Sequence, residues 1–134
     1  MPISYEINRE TRLVVCTGFG VVTDDEILQV HEQMVKDANF DSSFSELVDA
    51  DAITSTTVTP SSMRMLAESS PFSPDSRRAL VADSPLGFGL WRVYQIVRSL
   101  KGDKHIRVFH NRTDALAWLR EDESSANGEK TPAA

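Results

Sequence analysis

The chain has 134 residues, 40 % of them apolar and 25 % charged, which fits one globular domain with a core that needs no disulfide or metal staple. Its formal net charge of −6 argues against a nucleic-acid backbone or an anionic membrane as the main partner. No apolar run approaches the ~18 residues of a membrane span, and no basic-then-apolar leader opens the chain. The expected location is therefore cytoplasmic, with no integral membrane segment.

Ile3-Ser4-Tyr5-Glu6-Ile7 alternates apolar and polar residues, the pattern of a half-buried strand. After a polar turn from Asn8 to Thr11, the β-branched run Arg12 to Phe19 predicts the return strand of an antiparallel hairpin. Cys16, the single cysteine, falls inside that run and reads as a small buried residue. Gly18 and Gly20 are expected to loosen its end. Thr23-Asp24-Asp25-Glu26 is a capping box, with Thr23 as N-cap and Glu26 three positions on. The helix it opens carries Ile27, Leu28, His31, Met34, Val35 and Ala38 on one predicted apolar face and ends near Asp37 to Asn39. Phe40 and Phe44 pin the loop that follows.

The third strand is expected over about Glu46 to Ala50, followed by a polar loop. Thr59 as N-cap and Pro60 at the first position then start a second helix, with Met63, Leu66 and Ala67 on its buried side. Pro71 and Pro74 stop it. Arg77 to Ala82 is mostly apolar, as in a strand buried on both faces. Ser84 and Pro85 open a third helix whose buried stripe is read as Leu86, Leu90, Val93, Tyr94, Val97 and Leu100, closed by Lys101-Gly102-Asp103. His105 to Phe109 alternates as a last strand, and Thr113-Asp114 opens a last helix with Ala115, Leu116, Trp118 and Leu119. The order β-β-α-β-α-β-α-β-α predicts an α/β fold (α+β in its mixed sheet), a hairpin followed by strand–helix units. Residues 1–121 form the expected single domain. Residues 122–134 change composition to Ser, Ala, Asn, Gly, Thr and Pro with acids, and are expected to be a disordered acidic, polar tail.

With that order in hand, the chain resembles the STAS-like proteins, the group containing the bacterial anti-sigma-factor antagonists. Within it the chain looks like the small stand-alone branch with lipid-transfer (CRAL-TRIO-type) affinities. The resemblance rests on Pro2 to Ile7, Arg12 to Val15, Gly18 to Glu26, Leu47-Val48-Asp49, Ser76 to Ala79, Phe88-Gly89-Leu90 with Tyr94, and Arg107-Val108-Phe109. It implies a bacterial regulatory or protein-interaction domain that performs no catalysis and carries no cofactor. Family regulators place a phosphorylatable Ser or Thr at the start of the helix after the third strand, usually within Asp-Ser-Ser-Gly. Here that place reads Val58-Thr59-Pro60-Ser61-Ser62, without the acid or the glycine.

Two places stand out as candidate sites. The polar edge of Asp49, Asp51, Thr57, Thr59, Ser61 and Ser62 follows a strand end, where sheets of this kind collect ligands and switches. A phosphate there would meet a helix N-terminus but also the repulsion of Asp49 and Asp51. On the third helix, Phe88, Trp91, Arg92, Tyr94 and Gln95 include aromatics read as lying off the core stripe, suited to homodimer formation or to one wall of an apolar pocket. Arg77-Arg78 lies at the far end of the sheet and joins neither. His31, His105 and His110 lack metal-ligand spacing, and the chain carries no Gly-x-Ser-x-Gly elbow or Walker loop.

Three readings follow from these residues. The first is a non-enzymatic domain contacting itself or another protein. The second is a binder of a small apolar or lipid-like ligand. The third is an acid-site metal enzyme built on Asp49, Asp51 and Asp83.

Overall fold

The structure, a computed structural model, describes residues 2–121. The tail expected over 122–134 lies outside the described residues. Five strands and four helices alternate: β1 (Ile3–Asn8), β2 (Leu13–Val22), α1 (Asp24–Lys36), β3 (Ser45–Thr56), α2 (Pro60–Leu66), β4 (Arg77–Val81), α3 (Pro85–Leu100), β5 (His105–Phe109) and α4 (Arg112–Arg120). They form one sheet in the order β1-β2-β3-β4-β5. The β1–β2 hairpin is antiparallel, and β2 to β5 run parallel.

This order decides where the helices go. From β2 to β5 each strand lies beside the previous one, always stepping the same way. Right-handed crossovers then put every connecting helix on the same face. On that face α1, α2 and α3 bury Val30, Met34, Met63, Leu90 and Tyr94 against strand residues Val14, Cys16, Val48 and Leu80. After β5 no strand remains to be reached, and α4 folds back onto the opposite face. There Ala115 and Trp118 cover Leu47, Ala79, Val81 and Phe109.

Local signals account for the helix starts. Thr23 and Glu26 close the expected capping box on α1. Thr59 caps α2 ahead of Pro60, with Ser62 returning the bond, and Ser84 caps α3 ahead of Pro85. The fourth helix differs slightly: its cap is Asn111, which accepts from the Asp114 N–H, so the helix opens at Arg112.

Three expectations are corrected. Strand β3 runs to Thr56, not Ala50, because β2 is also long and its Phe19–Val22 segment pairs with Ala52–Thr56. The pairing shifts register on either side of Phe19–Gly20, where Gly20 takes φ +67°, a backbone that residues with side chains rarely adopt. On α1 the buried residues are Val30 and Met34, while Leu28 and Val35 are about half exposed and Ala38 lies beyond the helix. On α3 the buried line is Leu90, Tyr94 and Arg98, while Leu86 and Leu100 are 65 % and 83 % exposed. Leu90 and Tyr94 keep their expected place, and the stripe turns to include Arg98, drawn inward by partners described below.

Candidate ligand cavity

On the three-helix face the sheet floor carries a small residue, Ala50 on β3, while the space above Gly18 on β2 is filled by the Ile53 side chain. A helix layer held up by larger neighbours does not sink to meet such a floor. A cavity of about 90 Å³ remains, walled by Ile27, Val30, Met63, Leu66 and Trp91 and floored by Val48 and Leu80. It adjoins a wider groove of about 330 Å³ at the overhanging end of β3 and the start of α3, lined by Thr54–Thr56, Val58, Leu86 and Leu90. Val22, Ile27, Ala50, Ile53, Met63 and Trp91 line both spaces. The indole N–H of Trp91 donates to the Val81 carbonyl at 3.1 Å, which holds the ring in place on the wall that the two spaces share.

The inner cavity ends on Cys16, His31, Glu46 and Tyr94. Behind this end lies a buried charge network. Arg78 on β4 stands in register with Glu46 on β3 and is 2 % exposed. Its Nη1 donates to Asp103 Oδ2 at 2.8 Å, its Nε to Glu46 Oε1 at 3.4 Å and its Nη2 to the Tyr94 hydroxyl, while Phe72 lies 5.2 Å from the guanidinium. Arg98 grips Asp103 with two bonds of 2.9 and 3.2 Å and donates to the Ala67 carbonyl at 3.0 Å. Two guanidinium groups thus face two carboxylates.

Burial sets the protonation of the neighbours. It pushes the Cys16 thiol well up from its ordinary value, and the Glu46 charge adds to that. It also raises the Tyr94 phenol, against the pull of Arg78. It lowers His31, with Glu46 opposing and Arg78 reinforcing the shift. His31 is therefore neutral in the fold and takes a proton more easily once unfolded. Its contribution is fully present above the ordinary histidine range near ~6.5 and is lost as pH falls below it. Urea midpoints should drop between about pH 7 and pH 5, by at most about 1.4 kcal/mol of stability per pH unit from this group. His31→Leu should flatten that slope; an unchanged slope would show that His31 does not carry it. Asp24, whose carboxyl is held low by Thr57 and Ser62, acts only in the carboxylate range, about pH 4 and below.

The polar edge read from the sequence is used locally. Asp49 points to the α4 face, where Arg112 Nε donates to its Oδ2 at 2.8 Å. Asp51 accepts from the Asp83 backbone N–H at 2.8 Å. Thr57 exchanges bonds with Asp24 at the start of α1, Thr59 and Ser62 cap α2, and Ser61 accepts from Arg64 at 3.4 Å. Among the described residues no group of three His, Cys, Asp or Glu side chains could hold a metal ion, so Asp49, Asp51 and Asp83 are not assembled into the acid site.

The α3 residues of the expected dimer or ligand patch do not share one surface. Trp91 and Tyr94 turn into the cavity, and Gln95 Nε2 donates to the Ile106 carbonyl at 2.8 Å. Phe88 stacks on His110 at 4.2 Å, and Arg92 is exposed. Arg77-Arg78 was expected to join neither site, yet Arg78 stands behind the end of the cavity; Glu46, Arg98 and Asp103 were not among the expected site residues. The available signal was an acid, Glu46, and a base, Arg78, each at the second position of its strand and just ahead of the apolar residues Leu47-Val48 and Ala79-Leu80-Val81.

No family model matches the chain, and no curated protein does either. Among solved structures, it is similar to an uncharacterised protein of the DUF3478 family with a SpoIIAA-like fold from Shewanella loihica PV-4. Identity is 17 %, the match covers 87 % of this chain and 93 % of that one, and the TM-score is 0.56. The chain therefore has the STAS-like, SpoIIAA-like fold that its residues suggested. Among the described residues no helix is long and apolar enough to cross a membrane.

Proposed function

We propose that this STAS-like domain works by holding a small apolar ligand between the sheet and helices α1 to α3, without performing chemistry on it. The observation that carries the reading is the paired cavity and groove. Protein interiors pack at crystal-like density, so continuous apolar space beside a closed core is a departure that an occupant would correct. At about 24 cal/mol per Å³, the inner 90 Å³ alone represents about 2 kcal/mol of unmade contact. The self-association reading relied on the aromatics of α3 facing outward. With Trp91 and Tyr94 on the cavity wall, the ligand reading makes better use of the same residues.

The test is titration with aminoanthracene, a neutral dye that brightens in apolar surroundings, against wild type and Ala50→Leu. Ala50 lines both spaces, so the larger side chain fills existing room instead of crowding a packed core. Saturable binding should weaken about ten-fold or more in the variant, equivalent to about 1.4 kcal/mol. Equal binding by both, or none by wild type, would remove the proposal.

A further inference from the structure

The inner end of the cavity differs in kind from its walls. Glu46, 3 % exposed, stands on the lining with Tyr94, His31 and Cys16. A carboxylate can accept about four hydrogen bonds. Glu46 has two weak contacts here: the Arg78 Nε bond at 3.4 Å, and the Cys16 thiol at 3.7 Å from Oε2. Charge-assisted N–H···O bonds are normally about 2.7–2.9 Å. Arg78 spends its shorter bonds on Asp103 and Tyr94. Glu46 is thus a buried acceptor short of a strong donor on the cavity wall. Tyr94 is its complement: its oxygen accepts from Arg78, which leaves its own proton to give.

Charge and width narrow the choice of occupant. Arg78 and Arg98 are balanced by Glu46 and Asp103, so the end wall has no surplus charge for an ionic head group. A carboxylate would sit against Glu46, and an ammonium would add a third cation beside a network whose charges already balance. The inner cavity, at about 90 Å³, is also smaller than the ~150 Å³ cavity that takes a benzene ring. A slender alkyl stem fits there, and bulk belongs in the outer groove.

Resting on the ligand reading above, we infer that the occupant enters hydroxyl first: an aliphatic primary alcohol on an apolar stem, donating to Glu46 and accepting from Tyr94. The site favours this uncharged head over a carboxylate or an amine on the same chain.

The experiment is displacement of aminoanthracene from the full chain by n-octanol, octanoate and octylammonium at neutral pH, with Glu46→Gln and Ala50→Leu as variants. In wild type, n-octanol should compete at least about ten-fold better than either ion, a difference of about 1.4 kcal/mol. Glu46→Gln should bring octanol and octanoate close to parity by removing the repelling charge. Equal competition by octanol and octanoate in wild type, or a preference left intact in Glu46→Gln, would overturn the head-group assignment. The cavity reading would survive that result as long as Ala50→Leu still weakens dye binding by about ten-fold or more. Failure of the dye to bind wild type overturns both. Should Glu46→Gln not fold, the wild-type ratio decides by itself.

Discussion

Replacing Arg78 by Met is expected to remove about 3–5 kcal/mol of stability, read as a lower urea midpoint with a similar slope. The residue is 2 % exposed and bonds to three groups that are themselves buried: Glu46, Asp103 and the Tyr94 hydroxyl. Losing the guanidinium leaves a carboxylate and a phenol without their donor in low dielectric, and that desolvation is the larger part of the loss. The three partners should not suffer equally. Asp103 keeps its two bonds from Arg98, whereas Glu46 keeps only the thiol. A second change, Glu46→Leu, should therefore restore much of what Arg78→Met removes, an interaction between the sites that independent residues would not show. Purely additive losses would mean that Glu46 is not the group stranded by the first change. The exposed pair of Lys101 and Glu68, at 2.8 Å, is the control, and breaking it with Lys101→Ala should change little.

The buried network also explains which parts of the fold could be read from the chain. Helix starts were legible because a cap is local chemistry: Thr23 with Glu26, Thr59 with Pro60 and Ser84 with Pro85 each declare a helix within a few residues. The mixed sheet followed from a hairpin leading into alternating strand–helix units, whereas the spatial order of the strands did not. The length of β3 did not follow. Thr54 to Thr56 have the composition of a loop, yet threonine is β-branched and sits well in a strand once a neighbour is there to pair with. That neighbour, Phe19 to Val22, lies more than thirty residues away in sequence. The α3 stripe was misjudged for a related reason. Helical spacing offered several apolar lines, and the line that won contains Arg98, held inward by Asp103 and the Ala67 carbonyl. A periodicity argument counts a buried arginine as a surface mark. One wall of an apolar pocket was legible on α3, but not the floor opposite it, since Ala50 borders a void only when the helices above are held off by residues elsewhere. Trp91 is the residue whose placement differs: helical spacing puts it off the buried stripe, whereas it faces inward beside Tyr94, which that stripe already contained.

Two leucines of similar burial on opposite faces of the sheet separate packing from ligand binding. Leu80 is on the cavity floor beneath α2 and α3, and Leu47 is enclosed on the α4 face by Ala79, Val81 and Ala115. Each is at most 1 % exposed, so each Leu→Ala change should cost about 2–5 kcal/mol. Leu80 already has open space on one side and so loses fewer neighbours, which places it at the low end of that range. Leu47 is packed on all sides and belongs at the high end. The dye should then tell the two apart. Leu80→Ala enlarges the inner cavity toward the size that admits a ring and should tighten aminoanthracene binding, whereas Leu47→Ala makes a void the dye has no route to and should leave its affinity unchanged. Dye at one hundred times its Kd would stabilise any binding-competent variant by about 2.7 kcal/mol, so thermal shifts at a fixed dye concentration provide a second readout in which Leu80→Ala gains most. Tighter binding in Leu47→Ala, or an unaltered affinity in Leu80→Ala, would place the dye outside the inner cavity.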